Sequence, residues 1–198
     1  MPTDAAHEIA AVAARLVVEE GLEYAVAKRK AAQALGRRGA RPSDLPSNEQ
    51  VEDEVREHLD LFCARTQPTE LRALRELARD WMQRLAPFRP HLGGAVWRGT
   101  ATRLSCILLD LYCDDIKAPE IGLLNQGVDF DAGMLNGRGA EPLSVLSLSA
   151  PCPALGERAT LHLIVRDHDE LRGALKADAR GRSWRGDLAA LERLLEHA

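Results

Sequence analysis

The chain has 198 residues and a mass of 21.7 kDa, with 45% hydrophobic and 28% charged residues. That composition is ordinary for a globular protein and excludes disorder as the default. A net charge of −4 and a pI near 5.9 exclude the strongly basic whole-chain balance that marks many nucleic-acid binders.

No apolar run approaches the ~20 residues a membrane helix needs. Asp4 and Glu8 stand where a secretory signal would carry basic residues, so a cytoplasmic location without membrane attachment is expected. The four cysteines, Cys63, Cys106, Cys113 and Cys152, form no Cys-x-x-Cys pair and read as free thiols rather than a zinc site.

The N-terminal third reads as helical. Ile9, Val12, Ala13, Leu16 and Val17 share one apolar face over residues 4–20. A second helix is expected from Leu22 to Leu35, ending at Gly36. The segment "KRKAAQALGRRGAR" (28–41) holds six basic residues, Lys28, Arg29, Lys30, Arg37, Arg38 and Arg41, and no acid. In an acidic protein this asymmetry marks a candidate contact for RNA, DNA or an acidic partner, against the plainer reading of a solvated helix face. "SNEQ" at 47–50 has Ser and Gln at capping-box spacing and predicts a helix start, with Val51, Val55, Leu59 and Phe62 on its apolar face. Thr69 opens a further helix through Leu85, stopped by Pro87 and Pro90.

Beyond residue 90 the period changes. "HLGGAVW" predicts a short strand and turn, and "LSCILLDLY" a strand. Alternation puts Ile107, Leu109, Leu111 and Cys113 on a core face, with Cys106, Leu108, Asp110 and Tyr112 opposite. A helix over 117–126, a strand over 128–135, a turn at "NGRG" (136–139) and strands over 143–150 and 159–166 follow. A helix from Asp167 to about Lys176 and another over 187–197 complete the chain. Acids favour a helix start, which accounts for "RDHDE" (166–170) without a metal. The expected architecture is α/β (α+β): an all-helical N-terminal unit over 1–66, then a mixed-sheet domain over 67–198.

The stretch "GGAVWRGTATRLSCILLDLYCDD" (93–115) carries a more specific signal. It resembles the signature of the nucleotidyltransferase fold shared with DNA polymerase beta: a Gly-Ser turn, a second glycine, then Ser-Asp-x-Asp on a strand. Gly94 and Gly99 take the glycine places and Ser105 the serine. Ala95 falls on the turn serine, and Cys106 and Leu108 fall on the two acids. Pairing the turn with Gly93-Gly94 needs a one-residue shift, so the loop match has two registers. The order helix, strand, strand, helix, strand over 69–135 is also similar to that fold's core. A bacterial group of such domains has a similar helical N-terminus, including "AKRKAAQALG" and "LPSNEQVE".

The resemblance implies a phosphate-binding loop of Gly93, Gly94, Arg98, Gly99, Thr100 and Ser105, whose backbone N–H groups would face phosphate oxygens. It implies two Mg²⁺ ions held by acids, acting by in-line displacement. Leucine cannot ligate Mg²⁺, and cysteine is a soft ligand for a hard ion. A degenerate site is therefore expected, with no resident cofactor and with non-catalytic binding of a nucleotide-like ligand, RNA or a protein partner. One alternative is an active Mg²⁺-dependent enzyme with relocated acids at Asp110, Asp129 and Asp131. The other is a nucleic-acid-binding module working through residues 28–41. A nucleophilic Cys106 would need a base beside it. No P-loop and no Gly-x-Ser-x-Gly run is present.

Overall fold

The computed structural model describes residues 4–37, 39, 41–135, 142–178 and 180–197. The expected turn at 136–139 and Arg38 lie outside the described residues. The chain groups into two compact units, Met1–Thr69 with Thr100–Ser105, and Glu70–Gly99 with Cys106–Ala198.

The first unit is built on three helices, α1 (Asp4–Glu20), α2 (Tyr24–Ala34) and α3 (Asn48–Phe62). Ala10, Ala13 and Ala14 of α1 and Ala27, Ala31 and Ala32 of α2 share one buried core. Val51, Val55 and Leu59 close the core from α3. Gly21 ends α1 with φ +67°, and a Cβ there would stand 2.5 Å from the Leu104 carbonyl oxygen. The capping box forms as expected: Gln50 N–H donates to Ser47 Oγ at 3.2 Å, and Ser47 N–H donates to Gln50 Oε1 at 2.7 Å.

The second unit holds a six-stranded mixed sheet with interspersed helices. α4 (Gln67–Arg84) begins two residues before the expected Thr69 and buries Leu74, Ala78, Trp81 and Met82. The strands are β1 (Pro90–Gly93), β2 (Ile107–Cys113), β3 (Asp131–Leu135), β4 (Leu143–Cys152), β5 (Glu157–Asp167) and β6 (Arg185–Gly186). Their spatial order is β3-β4-β5-β2-β1-β6. Among the described residues, only β2 and β5 run parallel as neighbours. A parallel pair needs a long crossover. Here the crossover contains α6 (Ala118–Asn125) and the β3–β4 pair.

Several expectations shift. Residues Gly94–Arg98, read as strand and turn, form a short helix, α5, because Gly94 turns the chain with φ +64°. Val128–Phe130 precede β3 rather than joining it. The helix expected to Lys176 is a 3₁₀ turn, His168–Glu170, followed by the four-residue α7 (Leu171–Ala174). β6, two residues long, was not read from the sequence. The last helix, α8 (Leu188–Glu196), starts at the Asp187 cap. Among the described residues no helix is long and apolar enough to cross a membrane.

Candidate functional site on the sheet face

The strand alternation has the expected result. Ile107, Leu109 and Leu111 share a buried face with Leu161, Leu163 and Val165, and each fully buried leucine is worth about 2 kcal/mol of removed apolar surface. The opposite face reaches solvent on β4 and β5, where Ser149 and Thr160 are exposed and Ser147, His162 and Ile164 are half-buried. One row runs across all six strands on this face: Asp131, Ser147, His162, Leu108, Gly93 and Arg185. The next row places Val145, Ile164, Asp110 and His91 side by side.

Asp110 is the centre of this face. Its residue is only 3% exposed. Arg166 Nε, from β5, donates to Asp110 Oδ1, and Arg185 Nε, from β6, donates to Oδ2. Arg166 also reaches Glu170 at 3.1 Å through Nη1. Burial pulls the Arg166 guanidinium down, but the Asp110 carboxylate and its hydrogen bond outweigh that and raise it. Tyr112, next on the same face, is buried against the His91 ring in an edge contact at 5.2 Å. Burial, reinforced by the Asp110 charge, pushes its phenol up to about 12.

This geometry does not fit a metal. Both Asp110 oxygens already face guanidinium groups, so a hard cation would have to displace two charge-assisted bonds. Asp131 lies on β3, three strand spacings or about 14 Å from β2. Asp129 precedes that strand and is exposed. The strand beside β2 is β5, not β3, so the three acids proposed from the sequence do not share a site. Among the described residues, no group of three or more His, Cys, Asp or Glu side chains is placed to hold a metal ion.

The loop residues implied to bind phosphate have other partners. Gly93 lacks a side chain where Arg185 crosses towards Asp110: a Cβ would stand 3.6 Å from Arg185 Cγ and 3.8 Å from Asp110 Oδ2. Gly94 packs on Leu108, whose Cδ1 would lie 2.8 Å from an added Cβ. Arg98 is buried, pairs with Asp178 at 3.0 Å, donates to the Ser183 carbonyl and stacks over Trp184 at 4.2 Å. The Asp178 carboxyl is held below the usual range, chiefly by the Arg182 N–H. Gly99 ends α5 in the left-handed region with φ +81°. In the first unit, Thr100 is buried with its Oγ1 3.4 Å from the Tyr24 hydroxyl. Ser105 Oγ accepts from Thr102 N–H at 3.1 Å.

Three of the six basic residues of the 28–41 segment have protein partners. Lys28 Nζ donates to the Pro46 carbonyl and to Asn48 Oδ1, tying α2 to the start of α3. Burial lowers this amine, and Glu49 partly offsets the effect. Lys30 pairs with Glu20, and Arg37 lies 3.7 Å from Glu8. Arg29 and Arg41 are exposed.

Sequence reasoning missed Arg166 and Arg185, the residues that define what Asp110 does. Arg166 stands on the open face of an expected strand, which was a usable signal. Arg185 lies on a strand too short to show a period. Also missed was the cross-strand contact of Ser147 Oγ and His162 Nδ1 at 2.8 Å. Fold and site together define an α/β protein with N-terminal helices, a six-stranded mixed sheet and an arginine-clamped aspartate on its open face. No protein-family model matches the chain, and no curated protein matches it in sequence.

Proposed function

We propose that the chain is a nucleotidyltransferase-like module without transferase activity, acting by binding a protein partner. The observation that carries this reading is the Arg166–Asp110–Arg185 clamp on β2, where Leu108 on the strand and Cys106 just before it stand at the implied metal-ligand positions. In a transferase of this type, acids hold cations that neutralise developing phosphoryl charge. Here the remaining acid of that strand face neutralises the protein's own arginines. Gly94 and Arg98 likewise serve packing and ion pairing rather than an incoming phosphate.

Exposed apolar side chains favour a protein partner over a nucleotide. In the helical unit, Leu61 is 68% and Phe62 73% exposed. Phe62 borders an open groove of about 650 Å³ between α1 and α3, lined also by Ala11, Val18 and Cys63 and by the polar Arg15, Glu19 and His58. In the sheet unit, Ile121 and Leu124 of α6 face solvent. Large exposed apolar groups gathered beside a groove are a common mark of protein contact.

Pyrophosphate release from each of the four nucleoside triphosphates, with Mg²⁺ or Mn²⁺, tests the reading. The expected result is no turnover and no change in melting temperature with nucleotide. Metal-dependent release that Asp110→Asn abolishes would overturn it in favour of relocated acids. RNA affinity that falls with salt, and falls again when Lys28, Arg29 and Lys30 become alanine, would overturn it in favour of the basic segment.

A further inference from the structure

We propose that the free edge of β3 pairs with β3 of a second copy of this chain, joining two sheets across a twofold axis. The proposal stands on the strand itself and not on the transferase-like reading. Among the described residues β3 has a neighbour on one side only, so alternate N–H and C=O groups point away from β4. All five of its residues are exposed, with Met134 at 69% and Leu135 at 49%. Edge strands are ordinarily guarded by lysine, proline, a bulge or extreme shortness. "DAGML" (131–135) has no lysine, arginine or proline, and it pairs with β4 residue for residue without a bulge. The opposite edge, β6, is guarded by shortness, at two residues.

The sequence of the strand selects a second copy as its occupant. Antiparallel pairing centred on Gly133 sets Ala132 opposite Met134 and Asp131 opposite Leu135, twice each by symmetry. Like charges opposite one another destabilise such pairs. Here the strand's single charge, Asp131, faces an apolar residue. Met134 gains the space beside the small Ala132, and Gly133 puts no side chain at the axis. A twofold contact requires this kind of self-complementarity. Five residues a side bury less than the ~800 Å² per partner of a standard stable interface, so the dimer is weak and concentration-dependent.

Sedimentation velocity on the full chain from micromolar to near-millimolar concentration tests this. The weight-average mass should climb from 21.7 kDa towards twice that value. Met134→Lys with Leu135→Lys should hold it at the monomer mass, with circular dichroism and melting temperature unchanged because both side chains are exposed. Hydrogen exchange on the unsubstituted chain is a second readout: amides of 131–135 should gain protection as concentration rises. A monomer at every concentration, association that survives the two lysines, or protection of β3 only by an added extended peptide would each overturn the proposal.

Discussion

Replacing Asp110 with asparagine keeps the side chain's shape and removes its charge. Two guanidinium groups then face each other across a neutral amide. Removing one partner of a buried ion pair costs about 3–5 kcal/mol, because the remaining charge is left desolvated. The arginines here are not fully buried: side-chain exposure is 17% for Arg166 and 29% for Arg185. Arg166 also keeps Glu170. The expected loss is therefore below that range, about 2–3 kcal/mol, or a fall in melting temperature of roughly 10 °C. Urea denaturation followed by tryptophan fluorescence is the natural assay, since Trp81, Trp97 and Trp184 all belong to the sheet unit. Substituting the whole triad, Asp110→Leu with Arg166→Met and Arg185→Met, should recover much of the loss, because no charge is then stranded. A loss under about 1 kcal/mol in Asp110→Asn would refute the clamp as a stabilising element. So would a Mg²⁺-dependent rise in the melting temperature of the unsubstituted chain that the asparagine variant lacks.

Tyr112 gives a pH signature. The folded phenol ionises near 12 and the unfolded one near 10, so the folded chain holds the extra proton between them. Its contribution is unchanged below pH ~10 and turns unfavourable as pH rises to ~12, by about 2–3 kcal/mol in all. Equilibrium unfolding of Tyr112→Phe against the unsubstituted chain should show a shallower alkaline fall. Gly94→Ala should cost about 1–3 kcal/mol, from its positive φ and its contact with Leu108. Adding Leu108→Ala should relieve only the contact, visible as favourable coupling in a double-mutant cycle. Ser47→Ala removes the capping box of α3 and should cost about 1 kcal/mol. Far-UV circular dichroism must read that loss, since the helical unit contains no tryptophan.

The helices were legible because their signals are local. "SNEQ" specifies a cap through two hydrogen bonds spanning three residues, and the structure makes both. The apolar stripes of α1 and α3 follow from 3.6-residue periodicity, and Ile9, Ala13, Leu16, Val17, Val51, Val55 and Leu59 are buried, whereas Phe62, expected on the same stripe, is exposed at the end of α3. The strand β2 was legible for the same reason, down to which residues face the core. What stayed hidden depends on strand order. Asp131 and Asp110 read as neighbours in a site because "GVDFD" follows a helix after β2, yet β4 and β5 stand between their strands. Sequence adjacency of strands carries no information about insertion of a later strand between earlier ones. Arg185 was invisible for a related reason: its partner is 75 residues away, on the far side of β1.

The two glycines at 93 and 94 show how a short motif specifies geometry without specifying chemistry. A glycine is required wherever something must come close to the backbone or φ must be positive. Phosphate is one such neighbour, and a protein side chain is another. At Gly94 the neighbour is Leu108, and at Gly93 it is the Arg185 chain on its way to Asp110. Leu108 is also one of the two residues standing where the resemblance implies acids. Leu108 thus supplies the group that fills the space over the turn. Arg185 in turn converts the neighbouring acid into half of an ion pair. Filling of the turn by Leu108 and closure of Asp110 by Arg185 therefore meet at Gly93 and Gly94. An acid placed at position 108 would set a carboxylate against Gly94 beside an already satisfied Asp110, and would not by itself make a cation site.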